Sequence, residues 1–407
     1  MKYDLLVKGG FLIDPAQGIE GYRDLVLLGG KVALIHEDID PKSAREVVDA
    51  SGKIVTPGLI DLHVHVYWGA TPWGVDADLT CLAKGVTTAV DAGSSGSLTF
   101  SGFRRYIIDA SNTRLFAFLH ISSIGLTPRI GELLDLRNLD FNAAVETAKN
   151  NKNLILGIKI RLGEEIVGQH GPQVLRLAKE ATKSFGAPIM VHPGRLPKNL
   201  PITDVLDVVE KGDIITHCFP PAYPPLLEHP SIFDEDCEVL PEVRRAKEKG
   251  VIFDVGHGMG SFSWETAKRA LAQGFLPTTI SSDLHVYSVD GPAFDMPTVM
   301  SKLLNLGLPL SKVIELSTFA PASVLGMEDR IGTLKLNANG DIAVFELKEG
   351  EFTYWDNSTP LRKTMTIRKL LKPVKVIKDG RIVSPVDKRP SWAVLQKIGE
   401  GRPYKYA

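Results

Sequence analysis

Two histidines in Asp61-Leu62-His63-Val64-His65 close an apolar run near the start of the chain. Residues two apart in a strand share a face, so both imidazoles point the same way. Neutral imidazole is a common nitrogen ligand for divalent metals, and such a pair is a natural half-site. Alone, an HxH is a weak signal, because paired histidines also occur on solvated surfaces. Three further groups add weight: His192 in IMVHPG, His217 in IITHCF and Asp283 in TTISSDLH each stand at the end of another apolar run. One histidine at a strand end is usually structural. Four histidines and an aspartate at the ends of four runs form a ligand set.

Lys159 sits in the middle of Leu154-Ile155-Leu156-Gly157-Ile158-Lys159-Ile160-Arg161-Leu162, a run apolar enough to be buried. Burial disfavours the charged ammonium and lowers its pKa. A neutral amine can react with carbon dioxide to give a carbamate, whose two oxygens can bridge two metals. A lysine paired with a buried carboxylate is the plain alternative, and the histidine set favours the carbamate.

The elements that must position these groups are regular. Eight apolar runs lie between residues 55 and 285, with helix-like stretches such as GPQVLRLAKEATKSFG and LPEVRRAKEKG between them. From His63 to Asp283 a strand recurs about every 31 residues, the length of a βα unit. Eight units predict an α/β fold, a (β/α)8 TIM-like barrel, whose active site lies at the strands' C-terminal ends. An open doubly wound sheet is the alternative, but it would not require eight units. Residues 1–54 and 332–385 instead carry short strands with Gly-containing turns and predict a small antiparallel β-sandwich built from both termini. The barrel is then expected over 55–331, with a polar, Pro-rich tail over 386–407 that points to a homo-oligomer.

Composition excludes several classes. Lys and Arg number 47 against 48 Asp and Glu, so nothing electrostatic favours nucleic acid or an acidic membrane. Hydrophobic residues at 44% and charged residues at 23% are ordinary for a globular protein. No apolar run approaches the roughly 18 residues of a membrane span. Three scattered cysteines (Cys81, Cys218, Cys237) suit a reducing compartment, and MKYDLLVKGG does not read as a signal peptide. The expected location is the cytoplasm.

The order HxH after the first run, Lys in the fourth, His after the fifth and sixth and Asp after the eighth resembles the amidohydrolase superfamily. The resemblance spans nearly the whole chain, and VTPGLIDLHVH and GDIAVF are similar to that family's sandwich–barrel junctions. HVHVYWGAT, ISSIGL, GHGMGSFSW and SSDLHVYS resemble its dihydroorotase-like deacetylases, which hydrolyse acyl groups from small carboxylic acids. Acetyl esters of 2-hydroxy acids are among their substrates. The resemblance implies two divalent ions, with zinc expected, although this donor set also suits manganese, iron or cobalt. His63, His65 and Asp283 would hold the more buried ion and His192 and His217 the other. Carboxylated Lys159 would bridge them, together with a water or hydroxide. Asp283 would act as general base and then acid in a metal-assisted hydrolysis.

Substrate contacts are less constrained. Arg161 shares a strand face with Lys159 and lies nearer the mouth, where it could clamp a carboxylate or brace an acidic residue of a neighbouring loop. Arg195, just past His192, competes for the clamp. Tyr67 is either a lip over the metals or a packed aromatic, and His257 in VGHGMG either touches substrate or is structural. The expected partner is a small acylated carboxylic acid, such as an O-acetyl 2-hydroxy acid or N-acyl amino acid. Three other functions compete: a non-catalytic scaffold, which would have lost ligands; a deaminase, which usually lacks the strand-four lysine; and a cyclic amide hydrolase like dihydroorotase or hydantoinase, which shares every ligand.

Overall fold

The computed structural model describes residues 2–221, 232–233, 238–358 and 362–383. Cys237, His229 and the tail over 386–407 lie outside them. Among the described residues, no helix is long and apolar enough to cross a membrane.

The N-terminal strands are β1 (Tyr3–Asp14), β2 (Ile19–Leu28), β3 (Lys31–His36), β4 (Ala44–Asp49) and β5 (Ile54–Pro57). The central strands are β6 (Leu59–Val64), β7 (Val86–Ala92), β8 (Arg114–His120), β9 (Ile155–Arg161), β10 (Ile189–His192), β11 (Ile214–Ile215) and β12 (Ile252–Phe253). Near the C-terminus come β13 (Ile342–Trp355), β14 (Thr364–Lys378) and β15 (Arg381–Val383).

Both termini join one sheet, in the order β15-β14-β13-β5-β1-β2-β3, with β4 also on β1. The expected sandwich is therefore a single hydrogen-bonded path of strands. Nor is it wholly antiparallel, since β4 and β5 both pair with β1 in parallel. β5, read from sequence as the start of the barrel, pairs instead with β1 and β13. Its apolar continuity with the next run hid that change of sheet. Leu5, Val7, Leu25, Val344 and Ile377 pack together on this sheet, where alternation along each strand gathers them.

The central sheet is parallel throughout and runs β12-β11-β10-β9-β8-β7-β6. Seven of the eight expected runs form this curled sheet; the closed eight-stranded ring does not appear as a ladder. The eighth run, 278–285, makes isolated bridges, Asp254 to Thr279 on one side and Val64 to Leu284 on the other. Its backbone departs from strand geometry at Asp283 (φ 45°), which interrupts regular pairing. Single hydrogen bonds replace the ladder there: Asp283 N donates to the His63 carbonyl (2.7 Å) and His65 N to the Leu284 carbonyl (2.9 Å).

Helices cover the outer face. Helix Gly171–Lys183 has Pro172 in its first turn, where proline removes no needed donor. Its buried stripe of Val174, Leu175, Ala178 and Ala181 belongs to the same apolar cluster as Ile158 and Ile160 of β9. Ile158 and Ile160 face these helices, so Lys159 and Arg161 face the other way. Met190 pairs in register with Lys159 and belongs to a second cluster with Leu62, Val90, Phe118 and Ile214. Burying each such aliphatic side chain contributes about 1.5–3 kcal/mol. The apolar inner packing and the polar groups above it thus share strands.

Candidate metal centre and active site

The curled sheet brings all six sequence-identified donors to one place. Asp283 Oδ1 lies 3.3 Å from His63 Nε2 and 3.2 Å from His65 Nε2. Lys159 Nζ is 3.3 Å from His63 Nε2, and His217 Nε2 is 2.8 Å from His192 Nδ1. Donor atoms of His63, His217 and Asp283 all fall within 4.8 Å of one another. Local backbone contributes to this convergence. The register of β6 on β7 shifts between Asp61 and Val64, and irregularities of this kind re-aim side chains beside sites. His217 and Asp283 both take positive φ (62° and 45°), a conformation costly for non-glycine residues.

A second layer fixes which ring nitrogen faces inward. His63 Nδ1 meets the Thr216 hydroxyl at 2.9 Å, and His65 Nδ1 meets the Ser94 hydroxyl at 3.0 Å. His217 Nδ1 lies 2.6 Å from the Gly256 carbonyl, which can only accept, so that nitrogen carries the hydrogen. Each of these contacts leaves Nε2 for the centre. Asp61 accepts from the Ser282 amide (3.0 Å) and the Ser282 hydroxyl, tying β6 to the residue beside Asp283.

Burial keeps the nitrogens unprotonated. It pushes His65 down to about 3 and His217 to about 4, and holds His63 and His192 well below the usual imidazole range. Burial also lowers the Lys159 ammonium to about 7, against the opposing pull of Asp283 and Asp254. A metal needs lone pairs, and carbon dioxide reacts with neutral amine. Neutral imidazoles, a carboxylate and an easily deprotonated lysine are a donor set that fits divalent ions.

The proposed substrate contacts fare differently. Arg161 Nε and Nη2 form a bidentate pair with Glu132 (2.7 and 2.8 Å), a fully buried residue of the loop after β8. His120 Nε2 stands 3.3 Å from the same carboxylate. Burial alone would raise the Glu132 carboxyl, but the Arg161 charge and His120 outweigh it and hold the carboxyl well below its usual range. The bracing geometry for Arg161 is thus present. The Trp73 ring, 5.5 Å from the guanidinium, adds a cation–π contact. Tyr67 packs on Phe103 (4.8 Å between rings) and donates to the Thr99 carbonyl at 3.2 Å. It belongs to the packed layer rather than a lip over the histidines. His257 is fully buried, stacked on Phe262, with Nδ1 3.0 Å from the Gly258 carbonyl and Nε2 2.9 Å from Lys302 Nζ. Those contacts are structural. Gly258, the next residue, has φ 56°, and a Cβ there would stand 2.3 Å from Asp283 Oδ2. Arg195 is half-exposed, with Nη2 3.8 Å from Glu164 Oε2.

Sequence reasoning missed Glu132, Thr216, Asp254 and Trp73. Asp254 carried a readable signal: like Lys159, it is a charged residue inside an apolar run, Val251-Ile252-Phe253-Asp254-Val255. Glu132 carried none, since it lies in a polar loop whose path depends on tertiary packing.

The described class, a curled parallel sheet carrying histidines, lysine and aspartate at its C-terminal edge, agrees with comparison to known proteins. The Amidohydrolase family model matches residues 54–383. A deacetylase of Agrobacterium fabrum is 36% identical over 354 residues, covering 86% of this chain and 84% of that protein. The crystal structure of a dihydroorotase superposes with TM-score 0.84 at 33% identity, covering 93% of this chain and 97% of the other. That of an adenine deaminase gives TM-score 0.84 at 29% identity, covering 94% and 99%. The chain belongs to the amidohydrolase family, and it is a hydrolase with the barrel-like fold of that family.

Proposed function

We propose that the protein removes an acyl group, in the first place acetyl, from a small carboxylic acid. The observation that carries this reading is the convergence of His63, His65, Lys159, His192, His217 and Asp283 at one sheet edge. The similarity to a deacetylase over most of both chains supports the acyl specificity.

In this reading His63, His65 and Asp283 would hold one divalent ion and His192 and His217 a second. A carboxylated Lys159 would complete the donor set. Ions so held would supply Lewis acidity and would acidify a bound water from 15.7 to about 7. Carboxylation joins the neutral Lys159 nitrogen to the carbon of carbon dioxide with loss of one proton, which the depressed amine pKa favours. Asp283 takes a proton at its carboxylate during attack on the acyl carbon and returns it to the leaving oxygen or nitrogen. Glu132 occupies one edge of Arg161, so a substrate carboxylate meets the remaining Nη1 of a guanidinium already held in place.

A second reading, hydrolysis of a cyclic amide, is favoured by the dihydroorotase likeness. The test is an assay of zinc-loaded protein against O-acetyl 2-hydroxy acids, N-acetyl amino acids, dihydroorotate and hydantoin. Turnover of the acetylated acids at least 10²-fold above the cyclic amides is expected. Dominant ring opening would replace the first reading with the second.

A further inference from the structure

One carboxylate behind the site reaches two of its histidines by separate hydrogen-bonded routes. Asp254 follows β12 and is fully buried. Its Oδ2 accepts from the Thr216 hydroxyl (2.8 Å) and the Ser281 hydroxyl (2.6 Å), and its Oδ1 from the Thr279 hydroxyl (2.7 Å).

The direction of each hydrogen can be followed outward. A hydroxyl has one hydrogen, and Thr216 gives its own to Asp254. Its oxygen must then accept from His63 Nδ1–H at 2.9 Å, which leaves the His63 Nε2 lone pair facing the centre. On the second route the Ser281 oxygen accepts from the Gly256 amide (3.1 Å), so its hydrogen too goes to Asp254. The carbonyl of Gly256 accepts from His217 Nδ1 at 2.6 Å, which turns His217 Nε2 inward. A side chain at residue 256 could not stand in this route. Its Cβ would lie 2.2 Å from Thr216 Oγ1 and 2.9 Å from His217 Nδ1, on a backbone with φ 48°.

Asp254 also bridges the place where the parallel ladder fails, since Thr279 and Ser281 belong to the eighth run that carries Asp283. Burial raises the Asp254 carboxyl pKa, and the three hydroxyl hydrogens it accepts oppose that shift by favouring the ionised form.

We propose that Asp254 is a positioning residue: through Thr216 it sets the tautomer of His63, through Ser281 and the backbone of Gly256 it holds in place the carbonyl that orients His217, and so it sets the affinity for metal. Partners of this kind behind ligating histidines typically change metal affinity 10–100-fold when removed. The inference rests on the metal reading above, so its experiment measures zinc binding itself.

Zinc dissociation constants of metal-stripped protein are measured by chelator competition for the unaltered chain, Thr216→Val, Thr216→Ser and Asp254→Asn. Thr216→Val keeps shape but removes both hydrogen bonds, and should weaken zinc about 10-fold. Thr216→Ser restores the hydroxyl and should bind within threefold of the unaltered protein. Asp254→Asn should weaken zinc by 10–100-fold, because both routes lose their anchor. Should Asp254→Asn fail to fold, the Val and Ser pair at residue 216 decides. Equal zinc affinity in folded Thr216→Val and the unaltered chain would overturn the role of Asp254. If the unaltered protein takes up no zinc, the metal reading itself falls, and this one with it.

Discussion

Two lysines lie almost wholly out of solvent, Lys159 at 1% exposure and Lys302 at 0%, and their surroundings are opposites. Lys302, in helix Met296–Asn305, gives its three hydrogens to His257 Nε2 (2.9 Å), the Pro292 carbonyl (2.8 Å) and the Trp355 carbonyl (2.7 Å). These acceptors come from three separate segments, so the amino group ties them together, although burial lowers its pKa as it does that of Lys159. Lys159, in β9, has one hydrogen-bond partner among the described residues, His63 Nε2. A lysine whose donors all meet acceptors is a brace. One left short of acceptors among neutral imidazoles is available for chemistry.

Exchanging each for methionine should break that comparison most sharply. Lys159→Met should lower kcat by at least about 10³-fold, the scale of removing a group that acts with its neighbours as a unit. Its thermal midpoint should hold or rise, since a poorly satisfied buried amine is gone. In Lys159→Ala, which leaves a cavity at this place, millimolar acetate or propionate should restore part of the turnover by supplying carboxylate oxygens. Lys302→Met should do the reverse. Three buried acceptors lose their donor, at about 1–3 kcal/mol each, so the midpoint drops while kcat of the folded fraction stays within tenfold. Equal losses of activity from both would show that acceptor count does not separate their roles. A high-resolution map with plain lysine density at residue 159 beside occupied metal sites would remove the carbamate.

Arg161 sharpens the contrast at the next level of effect. Its bidentate partner Glu132 makes it a brace, yet it stands two residues nearer the mouth than Lys159 on the same strand face, beside Trp73. If it also meets the substrate carboxylate, Arg161→Met should lower kcat/KM for carboxylate substrates about 10²-fold, since losing a charged hydrogen bond costs roughly 2–5 kcal/mol. A neutral ester of similar shape should lose far less. Matching losses on charged and neutral esters would assign Arg161 to bracing alone.

These cases show what the sequence could carry. The ligand set was legible because strand parity and residue type both constrain it: a histidine two residues from another on an apolar strand has few places to point. The bulk of the fold followed from the βα period. The single terminal sheet and the absence of a ladder at the eighth run were not legible. Both depend on which edges hydrogen-bond across the chain, and Ile54–Pro57 looks the same in either sheet. The choice between bracing and clamping for Arg161 turned on Glu132, placed by a loop with no periodicity.

Acid should act on the site's histidines as a group. Their folded pKa values lie below the unfolded 6.5, so the unfolded chain binds more protons and stability rises with pH in that window. For His65 and His217 it is lost as pH falls from 6.5 toward about 3 and about 4. Each pH unit costs about 1.4 kcal/mol per histidine. Asp61, raised to about 7 by burial, opposes this between the ordinary carboxyl pKa and neutrality. The clean measurement is therefore a difference. Metal-free His65→Gln should lose stability on acidification from pH 6.5 to 4.5 less steeply than the unaltered metal-free protein. Parallel slopes in urea melts would mean that His65 is not held neutral by burial.

The smallest effect is expected at Tyr67, two residues beyond His65. Its ring rests against Phe103 and its hydroxyl donates to the Thr99 carbonyl, so everything distinctive about the side chain is spent inside the packed layer. Burial raises the phenol's pKa, which keeps it a neutral donor at working pH. Tyr67→Phe keeps the ring and removes only the hydroxyl. Stability should fall by about 0.5–1.5 kcal/mol, the net worth of one ordinary hydrogen bond. Both kcat and KM should stay within twofold, because no reacting group depends on that oxygen. A drop in kcat of tenfold or more at unchanged stability would contradict this, since a packing role cannot slow turnover without loosening the fold. It would bring Tyr67 back over the metal-binding histidines and move the boundary between chemistry and packing from His65 to Tyr67.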